Sequence, residues 1–149
     1  MQAEPTQNEL TTTLHLSLAQ VSDSPAGVLD EYLATLPQAD RSIIEEIAGS
    51  KDKAMVVINK GSNLGSRYLI NTQGTTIGRS TTSDIFLDDV TVSRAHAVIE
   101  MNPEGFVLKD SGSLNGTYVN NVSVTSKDLN SGDQIQIGKF HMIFVSGRK

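Results

Sequence analysis

The stretch AVIEMNPEGFVLK, residues 97–109, places two apolar segments on either side of a short turn that contains Asn102, Pro103 and Gly105. Gly, Pro and Asn are typical turn formers, and short apolar, β-branched runs between them indicate β-strands. The same pattern recurs at close spacing on both sides of this stretch. The sequence therefore predicts strands at residues 55–58, 67–70, 75–77, 85–87, 97–101, 106–109, 117–119, 134–137 and 142–145.

These strands predict an all-β domain in the form of an antiparallel sandwich. Residues 134–137 alternate polar and apolar side chains, as a half-buried strand requires. No long helical segment separates the strands, which argues against a parallel α/β sheet. With no Trp, four Phe and three Tyr, the chain is expected to build a mostly aliphatic core.

The N-terminal third has a different pattern, so we divide the chain into an extension, residues 1–50, and a domain, residues 51–149. Residues 1–24 are rich in Gln, Thr, Ser and Ala, and we expect them to be flexible. Residues 25–48 predict two short helices, which need a surface to dock against because short helices are marginal alone.

The first predicted helix has Ser24 as its N-cap and Pro25 at its first position, and Pro37 ends the pattern. Its apolar face consists of Val28, Tyr32, Leu33 and Leu36. We predict Asp40 as the cap of the second helix, and Gly49 follows its end. The apolar face of this second helix consists of Ile43, Ile44 and Ile47.

Charge is divided unevenly between the two parts. Residues 1–50 hold eight acidic residues and one basic residue, whereas residues 51–149 hold eleven basic and nine acidic residues. The acidic part could fold onto the domain, meet a different partner, or serve solubility alone.

Composition excludes several classes of function. The absence of Cys excludes disulfides and thiolate metal sites, and no apolar run is long enough for a membrane span. We expect a cytoplasmic protein without a membrane partner. The nearly neutral domain has no basic stripe and few aromatic residues, so we expect no nucleic-acid partner.

Three polar segments fall at predicted loop–strand junctions, which cluster at one end of a sandwich. They contain Gly78-Arg79, then Ser93-x-x-His96, then Asn115-Gly116-Thr117. Arginine guanidinium groups, hydroxyls and loop N–H groups together form a suitable site for a phosphate group.

In this order and spacing, the segments resemble the motif set of the forkhead-associated (FHA) family, over about residues 53–146. The resemblance implies an FHA-type sandwich that binds phosphothreonine peptides. It implies that Arg79 and Ser93 bind the phosphate, that Arg94 adds a phosphate contact, and that Asn115 binds the peptide backbone. Thr117, beside that loop, is a further candidate.

The resemblance assigns structural roles to three other motif residues. His96 is expected to brace the Ser93 loop by hydrogen bonds, and Gly78 and Gly116 are expected to serve backbone geometry. Each motif residue also has a simpler interpretation, such as a surface arginine or a turn-forming serine.

Residues 83–94, 112–120 and 132–140 resemble, more narrowly, the actinobacterial GarA/OdhI regulators of 2-oxoglutarate metabolism. That resemblance implies a Ser/Thr protein kinase that phosphorylates a tail threonine, here Thr12 or else Thr13. The phosphorylated tail then binds its own FHA domain. The unmodified domain binds and inhibits the 2-oxoglutarate dehydrogenase complex, with glutamate dehydrogenase as a further possible partner. A linker of some forty residues would allow the tail to reach the domain.

The tail departs from the family pattern because Leu10 lies between Glu9 and the threonine cluster, whereas the family places the acid directly before the pair. The predicted helices are also more apolar than a simple tail, and could instead present or shield the FHA face. The alternative function is an FHA adaptor that binds a phosphothreonine on another protein. An enzyme is not expected, since no nucleophile elbow, P-loop or metal-ligand spacing occurs, and we expect no cofactor.

Overall fold

A computed structural model describes residues 24–50, 52–61 and 64–147. Within these ranges, two helices precede eleven strands. The helices are α1 (Pro25–Ala34) and α2 (Gln38–Ala48). The strands are β1 (Ala54–Lys60), β2 (Arg67–Leu69), β3 (Thr75–Gly78), β4 (Ile85–Phe86), β5 (Ala97–Asn102), β6 (Gly105–Asp110), β7 (Thr117–Val119), β8 (Val122–Val124), β9 (Ser126–Leu129), β10 (Gln134–Ile137) and β11 (Phe140–Ser146).

The strands form the predicted sandwich of two sheets. Sheet A has six strands in the order β2-β1-β11-β10-β7-β8, and sheet B has five in the order β4-β3-β5-β6-β9. All nine predicted strand positions are occupied by strands. The pairing is antiparallel except between β3 and β4, which are parallel.

The core between the sheets is mostly aliphatic, as expected. Its largest side chains include Ile58, Ile99 and Leu108, all fully buried. Its aromatic residues include Phe106 and Phe144, whose rings meet edge to face with centroids 5.6 Å apart. This arrangement is favourable because the edge of one ring meets the π-face of the other.

A second apolar cluster lies on the outer face of sheet A and holds both helices. Leu29 of α1 and Ile44 and Ile47 of α2 pack against side chains from β1 and β11. These strand residues are Met55, Val57, Ile143 and Val145. Both faces of β1 and β11 are therefore buried, and the helices belong to the same folded unit as the sandwich.

The helix boundaries confirm part of the prediction and correct part of it. The Ser24 side chain caps α1 by accepting from Gly27 N at 3.1 Å. Asp40 is not the cap of α2, because that helix begins at Gln38 after Pro37. The Asp40 carboxylate instead forms an ion pair with Arg67 at 3.3 Å. Ile43 is 45% exposed and lies off the packed face, unlike Ile44.

Close contacts with glycine position the helices on the sandwich. A Cβ atom on Gly132, which has φ +95°, would lie 1.8 Å from Pro25 O. A Cβ atom on Gly147 would lie 1.6 Å from Ser50 O. Side chains at these two positions would push the helix pair off the sheet.

Docking of the helices also corrects the expected linker. Residues 25–48 are committed to the outer face of sheet A, so they do not act as a flexible tether. The chain available to connect Thr12 or Thr13 to the fold is the segment that ends at Ser24. Thr12 and Thr13 themselves lie outside the described residues.

Candidate phosphopeptide-binding site

The three predicted motif segments lie together at one end of the sandwich. The Arg79 backbone N–H donates to Ser93 O at 2.9 Å, joining the β3–β4 loop to the β4–β5 loop. The Leu114 N–H donates to Ser93 Oγ at 3.0 Å, joining the β6–β7 loop to the same serine. Ser93 therefore lies at the meeting point of the three loops.

The Arg79 side chain is exposed, and one hydrogen bond orients its guanidinium group. Its Nε donates to Val92 O at 3.1 Å, while its two terminal nitrogens form no hydrogen bond with any described residue. They can therefore bind an anion. Gly78 is required here because a Cβ atom at this position would lie 2.1 Å from Arg94 O.

His96 connects the β4–β5 and β6–β7 loops from the buried side of the site. It is fully buried, its Nδ1 accepts from Ser93 N at 3.0 Å, and its Nε2 donates to Gly116 O at 2.8 Å. These partners require the neutral tautomer that carries its proton on Nε2. Both ring nitrogens are used, so the histidine is placed as a brace for the Ser93 and Gly116 backbones. Gly116 itself has φ +87°.

Asn115 and Arg94 extend the polar surface on either side of Ser93. The Asn115 Nδ2 donates to Thr91 O at 2.9 Å, which leaves its Oδ1 available to a peptide N–H. The Arg94 side chain is exposed and forms no ion pair with any described residue. It lines a groove of about 370 Å³ together with Ser80 and Ser111.

Thr117 has a position that does not fit a peptide contact through its side chain. It is fully buried, and its Oγ1 donates to Asp110 Oδ1 at 2.7 Å. Thr117 starts β7 and points into the core side of sheet A, so its hydroxyl is directed at the base of the loop. Its prediction as a binding residue is corrected on this ground.

Asp110 was missed by the sequence analysis although it organises the β6–β7 loop. Its carboxylate accepts from Gly112 N at 2.9 Å, from Ser113 N at 3.0 Å, and from the Ser113 and Thr117 hydroxyls. Desolvation raises the pKa of this carboxyl, but the hydrogen bonds outweigh it and hold the pKa below its ordinary value. An Asp followed by Ser-Gly-Ser is the local signal for such a turn.

Asp89 and Thr91 were missed as well. Asp89 Oδ1 accepts from Thr91 N at 2.8 Å and from Thr91 Oγ1 at 2.6 Å, and these bonds lower the Asp89 pKa. Thr91 in turn accepts from Lys139 N at 3.1 Å through Oγ1. This chain of contacts joins the β10–β11 turn to the site as a fourth loop.

The arrangement suits recognition of a phosphate on a peptide. Two exposed guanidinium groups and the Ser93 hydroxyl can donate to phosphate oxygens, and charge-assisted bonds of this kind are about twice as strong as neutral ones. Asn115 can fix a peptide backbone beside them. Within the described ranges, no cluster of three or more His, Asp or Glu side chains is suited to a metal ion. None of the described helices is long and apolar enough to span a bilayer.

The FHA-domain family model matches residues 75–138 of this sandwich, which contain the loops of Arg79, Ser93 and Asn115. The Oxoglutarate dehydrogenase inhibitor of Corynebacterium diphtheriae is 42% identical over 145 residues, which are 97% of this chain and 94% of that protein. The Glycogen accumulation regulator GarA of Mycobacterium tuberculosis is 44% identical over 125 residues, 83% of this chain and 77% of that protein.

A solved FHA structure from work on phosphothreonine-dependent FHA domain interactions superposes with a TM-score of 0.58 at 32% identity, covering 62% of this chain and 95% of that one. The chain belongs to the family of FHA proteins that includes the oxoglutarate dehydrogenase inhibitors and GarA.

Proposed function

We propose that the chain is a phosphothreonine-dependent binding regulator, without catalytic activity, that inhibits the 2-oxoglutarate dehydrogenase complex. Phosphorylation of Thr12, or else Thr13, by a Ser/Thr protein kinase releases this inhibition, because the phosphorylated tail occupies the domain's own site. The observation that carries the proposal is the convergence of Arg79, Ser93 and Asn115 on one exposed surface. Glutamate dehydrogenase is a second target of the same surface.

Exposed apolar side chains beside the site support a protein ligand. Val90 is 86% exposed and Leu114 is 89% exposed. Val90 precedes Thr91 in the chain, and Leu114 precedes Asn115. The hydrogen bond from Asn115 Nδ2 to Thr91 O brings these two positions together. Large apolar side chains next to a cationic site favour a peptide or protein surface over a small free phosphate.

Electrostatics explain how one modification could act as a switch. A phosphate adds about −1.5 to −2 charges and three acceptor oxygens at neutral pH. Arg79 and Arg94 can pair with that charge, and Ser93 can donate to it. Because the tail is part of the same chain, its effective concentration reaches about the millimolar range, so modest intrinsic affinity is sufficient for closure.

The proposal is tested by assaying the purified 2-oxoglutarate dehydrogenase complex with the full chain before and after treatment with a Ser/Thr kinase and ATP. We expect inhibition by the unmodified chain and its loss after phosphorylation. The double variant Thr12→Ala/Thr13→Ala is the control, and should inhibit before and after kinase treatment. A chain that binds phosphothreonine peptides without inhibiting the complex in either state would instead be an adaptor for a phosphorylated partner.

A further inference from the structure

A groove on the outer face of sheet A, mostly apolar in surface but edged by polar side chains, continues the candidate peptide-binding surface. It has a volume of about 320 Å³. Its walls are formed by Thr91, Asn115, Tyr118, Gln136, Gly138 and Lys139. Tyr118 and Gln136 are paired neighbours on β7 and β10, and their side chains point away from the core because Thr117, Val119, Ile135 and Ile137 point into it.

The groove and the phosphate site share a wall. Asn115 lines the groove and also belongs to the loop whose Leu114 N–H donates to Ser93 Oγ. Thr91, which also lines the groove, accepts from Asn115 Nδ2 through its carbonyl and from Lys139 N through its hydroxyl. A peptide whose phosphate binds at Ser93 and whose backbone binds at Asn115 can therefore continue directly into the groove.

Lys139 gives the groove its charge. Its side chain is exposed and forms no ion pair with any described residue. The Asp89 carboxylate is the acidic group that attracts Lys139, but it forms no ion pair with it and its Oδ1 is hydrogen-bonded to Thr91 N and Oγ1. Gly138 holds the turn against Thr91, since a Cβ atom there would lie 2.4 Å from Thr91 Oγ1. The Lys139 backbone is thus fixed at the groove, and its exposed side chain carries the ammonium group beside it.

The chain's own tail supplies a matching anion. Between Glu4 and Asp23, Glu9 is the single acidic residue, and no lysine or arginine precedes Arg41. Glu9 lies three positions before Thr12, a separation of about 10 Å in extended chain. Because the Leu114–Asn115 loop borders both the Ser93 site and the groove, a stretch of extended chain bound at one leads toward the other.

We propose that the Lys139 groove is a second subsite of the peptide-binding surface, and that it binds the carboxylate of Glu9 when phosphorylated Thr12 occupies the Arg79–Ser93 site. This proposal rests on the proposed phosphothreonine-binding function and names its sequence preference: an acidic residue on the N-terminal side of the phosphothreonine.

A double-mutant cycle measured by calorimetry tests the proposal. The full, unphosphorylated chain is titrated with a synthetic peptide of residues 5–18 phosphorylated at Thr12, and with the same peptide carrying Glu9→Gln. We expect Lys139→Gln to weaken binding of the first peptide about three- to fivefold, the size of an exposed ion pair, and to leave the second nearly unchanged. The difference should shrink at high salt.

Lys53→Gln is the matched control, because Lys53 is also an exposed lysine but lies before β1 at the opposite end of the sandwich. It should bind both peptides like the unmodified chain. Lys139→Glu should regain affinity for a peptide with Glu9→Lys. The cycle is repeated with the peptides phosphorylated at Thr13.

The outcomes separate this proposal from the function on which it rests. If the phosphopeptides bind but Lys139→Gln weakens the unsubstituted peptide and the Glu9→Gln peptide equally in both registers, the Lys139 subsite is refuted and the phosphothreonine site stands. If neither phosphopeptide binds the unmodified chain, the proposed function fails and the subsite fails with it.

Discussion

Single residues outside the recognised motifs hold the binding loops in position. Asp110 accepts four hydrogen bonds within the β6–β7 loop, and Thr91 joins the β4–β5 loop to both Asn115 and Lys139. Asn115 can remain exposed because these neighbours fix the loop that presents it, and the Arg79 backbone is held separately by its hydrogen bond to Ser93 O. Their geometry depends on contacts between distant loops, which a motif alone does not specify.

Asp110 predicts a specific dependence of stability on pH. Its pKa is lowered in the folded state, so the ionised carboxylate stabilises the fold at neutral pH, and this contribution is lost as pH falls through the folded pKa, below about pH 4. We expect Asp110→Asn to lower the Tm at pH 7 and the difference from the unmodified chain to narrow at lower pH. Thermal unfolding followed by circular dichroism measures both.

The control for this prediction is Asp128→Asn, which removes an exposed carboxylate on β9, away from the loops. It should change the Tm little at any pH. A constant stability difference for Asp110→Asn from pH 3 to pH 7 would contradict the role of the ionised carboxylate.

At the scale of secondary structure, the helix pair covers an outer face that most sandwiches expose to solvent. The continuous apolar runs at residues 54–58 and 142–145 are the signal in the sequence, since a strand buried on both faces is apolar at successive positions. The apolar helix faces and this double burial together account for the docking.

Ile43 and Ile44 give a matched pair for testing the docked helices. Ile44 is fully buried against sheet A, whereas Ile43 is 45% exposed. We expect Ile44→Ala to lower the free energy of unfolding by about 2–4 kcal/mol, because it removes buried methyl groups and leaves a cavity. Ile43→Ala should cost about 0.5 kcal/mol.

Urea unfolding of both variants measures these changes. Equal, small losses in the two variants would mean that α2 is not packed on the sheet. An unchanged affinity of Ile44→Ala for the phosphopeptide would show, in addition, that the helix pair is separate from the binding loops.

The sequence predicted nine of the strand positions and missed β8 and β9. Both are short strands at sheet edges, and β9 reads Ser-Lys-Asp-Leu with one apolar side chain. Such strands are held by backbone pairing to β7 and β6, which depends on tertiary context. The phosphate-binding motifs were visible because they combine residue type with fixed order. Asp110 had a local signal in the Ser-Gly-Ser that follows it, whereas the roles of Asp89 and Thr91 required the contacts themselves.

For the whole molecule, the position of α1 sets the length of the regulatory tether. Pro25, the first residue of α1, packs on Gly132, and the Gly132 N–H donates to Phe144 O on β11 at 2.7 Å. Strand β11 begins at Phe140, next to the Lys139 turn that borders the binding loops. The four-residue step along β11 from Phe144 back to Phe140 spans about 14 Å, and the loops that hold Arg79 lie beyond Phe140. Residues 13–23 extend at most about 40 Å, so the tail can reach its own site.

Shortening this tether gives a prediction with a clear geometric limit. Deletion of residues 14–22 leaves a connection of at most about 11 Å between Thr12 and Ser24, which is too short to reach the loops. We expect the phosphorylated deletion variant to leave its own site open, so that it binds a separate phosphopeptide as tightly as the unphosphorylated chain does. Calorimetry with the Thr12 phosphopeptide measures this.

Replacing residues 14–22 with a Gly-Ser segment of equal length is the control, and it should keep the tail bound and the site closed to added peptide. If the deletion variant also closes its site after phosphorylation, the tail does not start from a docked α1.

The most direct test of the central claim is an NMR comparison of the isotopically labelled full chain before and after stoichiometric phosphorylation at Thr12 or Thr13. The account predicts that phosphorylation shifts the backbone signals of Arg79, Ser93, Asn115 and Lys139, and that Arg79→Ala abolishes these shifts while leaving the rest of the domain spectrum intact. Shifts confined to residues around the phosphorylated threonine would contradict the account, because the phosphate would then make no contact with the loops of its own domain.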